Sequence, residues 1–161
     1  RGLMGCRSRF LTLRNGTGVI NRDIHGFGKF EGEMDGRKNG ALISMSNGKA
    51  VAFAIFNLQA RGEMFVTHND PVYEGMIVGL APKAGDMIIN VMKGKQLTNM
   101  RTQGTDENVV LTPVRQMSIA EQLSMLNTDE ALEITPKSLR LRKAILNPND
   151  RKKNEKSSNP L

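Results

Sequence analysis

The chain has 161 residues, 39% hydrophobic and 24% charged, with a formal net charge of +7. That composition is globular, long enough to bury a core, and lacks any apolar run near the ~18 residues of a membrane span. A single cysteine, Cys6, excludes an internal disulfide framework and fits a reducing compartment. The charge is uneven: residues 137–156 hold eight basic side chains against Asp150 and Glu155, and the preceding 136 residues carry a net +1. A basic pole on a near-neutral body suggests a polyanion as partner, although a solvated tail is the plainer account of residues 150–161. The first residue is Arg1, as expected of a piece of a longer protein.

In chain order, Leu3, Cys6, Phe10 and Leu13 recur at helical spacing before an Asn15-Gly16 stop, so residues 1–17 predict an amphipathic helix with Cys6 in its packed face. Residues 18–30 (GVINRDIHGFGKF) predict a strand with Ile20 and Ile24 on one face. Neither element buries its apolar side alone, so residues 1–35 read as the end of a domain that starts upstream. The polar, glycine-rich EGEMDGRKNG (31–40) reads as a linker. In ALISMSNGKAVAFAIF two apolar runs flank Asn47-Gly48, which predicts a type I′ hairpin. EMFV (63–66), VYEGMIVGL (72–80), DMIINVM (86–92) and NVVLTP (108–113) predict further short strands, with Gly75 and Gly79 suited to bulges or close backbone approach.

Ser118 and Glu121 then have capping-box spacing, with Ile119, Leu123 and Leu126 as the apolar face of a helix. ALEIT (131–135) and SLRLRK (138–143) predict strands. In the second, a period of two turns Leu139 and Leu141 inward and both Arg140 and Arg142 outward. NPNDRKKNEKSSNPL reads as a short capped helix fraying into disorder, a basic tail over 147–161. The expected class is α+β, with a β-rich, barrel-like body and a few helices over residues 36–146.

Catalytic readings find little support. His25 and His68 lie in different segments without a ligand-spaced partner, and His68-Asn69-Asp70-Pro71 reads as a turn. No Gly-x4-Gly-Lys-Ser/Thr loop is present, and no titratable pair has a spacing suited to acid–base work. The chain is therefore expected not to be an enzyme and to hold no cofactor or metal. With one tyrosine and no tryptophan it also lacks stacking platforms, so RNA would be met through backbone and shape. VMKGKQLTNMRTQGTDENVV (91–110) suits that role: between Lys93 and Thr105 the only charges are Lys93, Lys95 and Arg101. Thr98, Asn99, Thr102 and Gln103 add groups for phosphate oxygens and 2′-hydroxyls. A solvated loop explains this composition equally well.

KQLTNMRTQGTDE, GRKNGALIS, VYEGMIVG and EITPKSLRLRK closely resemble the C-terminal region of the BipA/TypA family of translational GTPases. The similarity runs from RGLMGCRSRF to NPNDRKK, nearly the whole chain. The resemblance implies that residues 1–35 close a ferredoxin-like fold similar to domain V of elongation factor G, and that 36–146 form the family's own C-terminal domain. It further implies a monomeric, cytoplasmic, ribosome-binding factor that acts in stress or cold response and large-subunit assembly. GTP and magnesium would be handled by an N-terminal domain. In the family the loop matching Lys93–Asp106 reaches toward the peptidyl transferase centre and the acceptor end of an A-site tRNA. Lys93, Lys95, Gln96, Thr98, Asn99 and Arg101 carry over as RNA-contacting candidates, Gln96 standing where a lysine is expected. Arg140, Arg142 and Lys143 are assigned to rRNA or tRNA, with sheet-capping against the acids at 129–133 as the other account. A module contacting a ribosomal protein, or another domain of its own chain, is the alternative function.

Overall fold

The computed structural model describes residues 6–30, 32, 37–94 and 110–158. The first elements are α1 (Cys6–Leu13), β1 (Ala41–Ser44), β2 (Gly48–Lys49), α2 (Ala52–Gln59), β3 (Glu63–Met64) and β4 (Pro71–Val72). They are followed by β5 (Ile77–Leu80), β6 (Met87–Ile89), α3 (Ile119–Met125), β7 (Glu130–Ile134), β8 (Leu139–Lys143) and α4 (Pro148–Ser158). The class is α+β. Among the described residues no sheet closes into a barrel.

The main sheet is built on β1, whose four residues are all buried. Such a run has no solvent-facing side and suits a central strand covered on both sides. β1 pairs antiparallel with β5 and parallel with β6, in the order β3-β5-β1-β6. On one face Leu42 and Val78 join Ile55 of α2, Met64 and Ile89. On the other, Ala41, Ile43 and Ile77 pack with Leu141 of the β7–β8 ribbon, flanked by Met117 and Leu126. The glycine expectations hold in this sheet. Register slips between Leu42 and Ile43, leaving Val78 as the extra residue opposite them, one position before Gly79. At Gly79 a Cβ would run into the Glu63 carbonyl oxygen. Gly75 has φ +82° and lies against Leu146, so it needs both a positive φ and the missing side chain.

The predicted 41–56 hairpin does not form. Asn47 and Gly48 do not adopt the positive φ angles of a type I′ turn. β2 pairs with β4 instead of β1, and AFAIFNLQ is the helix α2. Residues 50–56 are apolar throughout, so alternation is uninformative there. The discriminating pattern is Val51, Ala54, Ile55 and Leu58, an i, i+3, i+4, i+7 stripe whose middle pair is buried. The Asn47 side chain accepts from the Glu74 amide at 2.8 Å, which ties this corner to the turn between β4 and β5.

Other segments also differ from expectation. VYEGMIVGL is split by the turn at Gly75, and residues 110–113 are not in a strand, 108–109 lying outside the described residues. Residues 18–30 form no strand: Val19, Ile24, Phe27 and Phe30 are at least 80% exposed. α1 ends at the expected stop, with Asn15 and Gly16 at positive φ and the Gly16 amide donating to Leu11 O at 2.7 Å. Cys6, however, is exposed and not core. At α3 the Ser118 hydroxyl accepts from the Glu121 amide as the capping box requires, yet Ile119 and Leu123 are about half exposed and Gln122 is the buried residue. The helix at the end of the chain is capped by Asn147, whose side chain accepts from the Asn149 amide at 2.8 Å.

Candidate nucleic-acid interface

Both ends of the basic loop are anchored on α2. On the outgoing side the Val51 amide donates to Val91 O at 2.9 Å, Val91 is fully buried, and Met92 packs on the same core. On the returning side Gln59 makes two hydrogen bonds with the backbone of Thr112, donating to its O at 2.9 Å and accepting from its N at 3.2 Å. Leu111 packs on that core as well. The helix therefore fixes where the segment leaves and where it comes back.

Lys93, at the outgoing end, is exposed and lines an open groove of 640 Å³ between α2 and β6. Asn57, Arg61 and Asn90 share that groove, and among the described residues no carboxylate lines it. Two cations and two amides with no competing acid suit sugar-phosphate. Sequence reasoning missed Asn57, Gln59 and Arg61, because with α2 read as strand their face was not visible. Lys95, Gln96, Thr98, Asn99, Arg101, Thr102 and Gln103 lie outside the described residues.

The predicted basic strand divides between two environments. Arg140 stands opposite Glu133 in the β7–β8 register, with Nη1 3.5 Å from its carboxylate. Arg142, two pairs further along, faces Ala131 and donates weakly to Lys143 O at 3.5 Å. Tyr73 joins them by donating to Glu133 Oε2 at 2.6 Å. Burial and the Glu133 hydrogen bond and charge push the Tyr73 phenol up to about 12, against the opposing pull of Arg142 and Arg140.

For Lys143 the geometry follows the other expected account, contact with the acids at 129–133, and not an RNA-facing surface. Alternation puts it on the inner side with Leu139 and Leu141, where its side chain is 2% exposed. Its Nζ lies 2.5 Å from Asp86, 2.6 Å from Asp129 and 3.1 Å from Glu130. Arg37 completes the cluster with a two-pronged contact to Glu130 at 2.8 and 3.1 Å. Lys143 therefore joins β8 to the start of β6 and to β7, and its charge is consumed internally. Burial alone would lower the Lys143 pKa, but its bonds to Asp129 and Asp86 and the Glu130 charge outweigh that and raise it. Burial likewise pushes Asp86 up, and the Lys143 and Ala41 hydrogen bonds with the Lys143 and Arg37 charges hold it below the usual range.

A second groove, of 730 Å³, lies between residues 114–117, α3 and the β7–β8 turn. Gln122 lines it, with a buried Oε1 that has no hydrogen-bond partner among the described residues. An orphaned buried acceptor costs roughly 1–3 kcal/mol. Among the described residues no group of three His, Cys, Asp or Glu side chains is placed to hold a metal, and no helix is long and apolar enough to cross a membrane. His68 lies in the expected turn, its Nδ1 accepting from the first amide of α2 at 3.2 Å.

The profile of the TypA/BipA C-terminal domain matches residues 39–148, which include both grooves, the loop and every member of the charge cluster but Arg37. The chain belongs to the TypA/BipA family. It is 48% identical over 154 residues to the large ribosomal subunit assembly factor BipA of Buchnera aphidicola (subsp. Schizaphis graminum). It is 46% identical over the same length to the BipA proteins of Salmonella typhimurium and Escherichia coli K12. Each alignment covers 95% of this chain and 25% of the relative, so the chain spans a quarter of the TypA/BipA proteins it matches.

Proposed function

We propose that this chain is the ribosome-contacting, RNA-binding region of a large-subunit assembly factor of the TypA/BipA kind. The observation that carries this is the anchoring on α2 of both ends of a loop whose only charges from Lys93 to Thr105 are positive, beside a groove holding Lys93 and Arg61. In this reading the loop reaches toward the A-site tRNA acceptor end and the peptidyl transferase centre, with Lys93, Lys95 and Arg101 on phosphates and Gln96, Thr98, Asn99, Thr102 and Gln103 on sugar and phosphate oxygens. Arg140 and Arg142 form a secondary contact. The chain positions RNA without chemistry of its own. It has no Gly-x4-Gly-Lys-Ser/Thr loop, so GTP and magnesium do not fit the residues present and belong to another part of the protein.

With about three cations on phosphates, ribosome affinity should fall with salt at a log–log slope of about −2 to −3. Lys95→Ala with Arg101→Ala should weaken binding and flatten that slope. Unchanged affinity and slope would move the contact surface elsewhere. A protein-docking reading is favoured for one segment only: Val19, Ile24, Phe27 and Phe30 are exposed and apolar. An association that survives RNase would support it.

A further inference from the structure

We infer that the 730 Å³ groove takes one unpaired nucleotide of an RNA, its base between the apolar walls and its phosphate against Lys137. The inference rests on the RNA-binding reading and adds to it a base-holding site away from the loop. Volume is the first argument, since pockets for small ligands run to roughly 300–1,000 Å³. Charge is the second. Arg115, Lys137 and Arg140 line the groove, and among the described residues no carboxylate does. Arg115 is engaged by Glu63 and Glu121, and Arg140 by Glu133. Lys137 is exposed and has no ion pair among the described residues, so its charge is open to an incoming anion.

The walls are the third argument. Phe65, Met76 and Met117 offer an aromatic and two thioether surfaces, which suit the flat face of a base. Ile119 and Ile134 stand at the mouth, 47% and 62% exposed. Gln122 supplies the fourth: its amide oxygen has no donor among the described residues, and a turn of the side chain offers it to the exocyclic amine of a base. An acidic peptide with an apolar anchor would satisfy the charge and the walls. It has less call on a single amide acceptor beside one open cation, and is the competing outcome of the test.

The test is an NMR titration of this chain with single-stranded RNA hexamers of adenosine and of purine riboside, which lacks the amine. Inorganic phosphate and an acidic, leucine-containing peptide are the other arms. The expected result is saturable movement of the Gln122 side-chain amide and the Ile119 and Ile134 methyls with adenosine RNA, and a severalfold weaker response to purine riboside. Lys137→Glu should weaken adenosine binding at least tenfold. Gln122→Leu should erase the difference between the two RNAs, while Lys95→Ala with Arg101→Ala should leave the groove response in place. Groove shifts reproduced by phosphate alone, or produced by the peptide and not by RNA, overturn the inference. A silent groove with RNA-dependent shifts at Lys93 overturns it too, yet leaves the loop reading standing. No RNA response anywhere in the chain overturns both.

Discussion

Lys143 shows how one side chain can reverse a surface prediction. Alternation correctly sends Arg140 and Arg142 to one side of β8, and the same rule sends Lys143 to the other, among Leu139 and Leu141. A lysine is tolerated there because three carboxylates and the Arg37 guanidinium form a compensated cluster. Lys143→Met would leave Glu130, whose side chain is 0% exposed, with Arg37 as its remaining ion-pair partner. Because Arg37 still compensates Glu130, the loss should be roughly 1–3 kcal/mol, and the urea midpoint should fall accordingly. The pH dependence has a definite sign. Asp86 is held below its ordinary value, so its contribution is present above about pH 4 and is lost as pH falls through its lowered folded pKa. Lys143 is raised, so its contribution is full below about pH 10 and is lost as pH climbs through the folded value. Tyr73 is the sole tyrosine, so its phenolate absorbance isolates a single group. The midpoint should lie at about 12, and Glu133→Gln should lower it. An ordinary midpoint near ~10 would mean that neither the burial of Tyr73 nor its bond to Glu133 holds in solution.

At the scale of elements, α2 decides how the candidate interface is mounted. Its first amide is met by His68, its buried stripe by Leu42 and Val78, and its last residue by Thr112. Gln59→Ala should cost only about 0.5–1.5 kcal/mol per hydrogen bond lost, because the contact is exposed. Ribosome affinity should nevertheless fall, since the returning stem is released and ordering the loop costs more entropy. The salt slope should stay at that of the unmodified chain, because the cations are untouched. A slope that flattens with Gln59→Ala would tie the charge contacts to the stem itself. The error over AVAFAIF has the same root: a short, uniformly apolar run does not declare its period, and packing against one side of the sheet selected the helix. Ser118–Glu121 and Asn15-Gly16 were legible because a cap is satisfied by side chains and φ angles only a few residues away.

At the scale of the molecule, the two faces of one sheet are covered differently, by α2 on one side and by the β7–β8 ribbon on the other. The cleft beside the ribbon and the groove beside α2 follow from that division. The apolar side chains of 18–30 take no part in it. Phe27→Ser with Phe30→Ser should therefore change the unfolding free energy of the body by no more than about 0.5 kcal/mol, measured by denaturant unfolding. A large loss would mean that this segment packs on the sheet in solution. By itself the sequence determined the α+β class, the helix stops and caps, the glycines at 75 and 79, the family, and a loop whose only charges from Lys93 to Thr105 are positive. Each depends on residues close together in the chain, or on a pattern dense enough to be read directly. Only the tertiary structure decided which carboxylates take up the Lys143 charge, that Gln59 anchors Thr112, and that residues 52–59 are a helix. Those outcomes depend on partners 13 to 57 residues away, and no local signal reports which distant side chain will share a face.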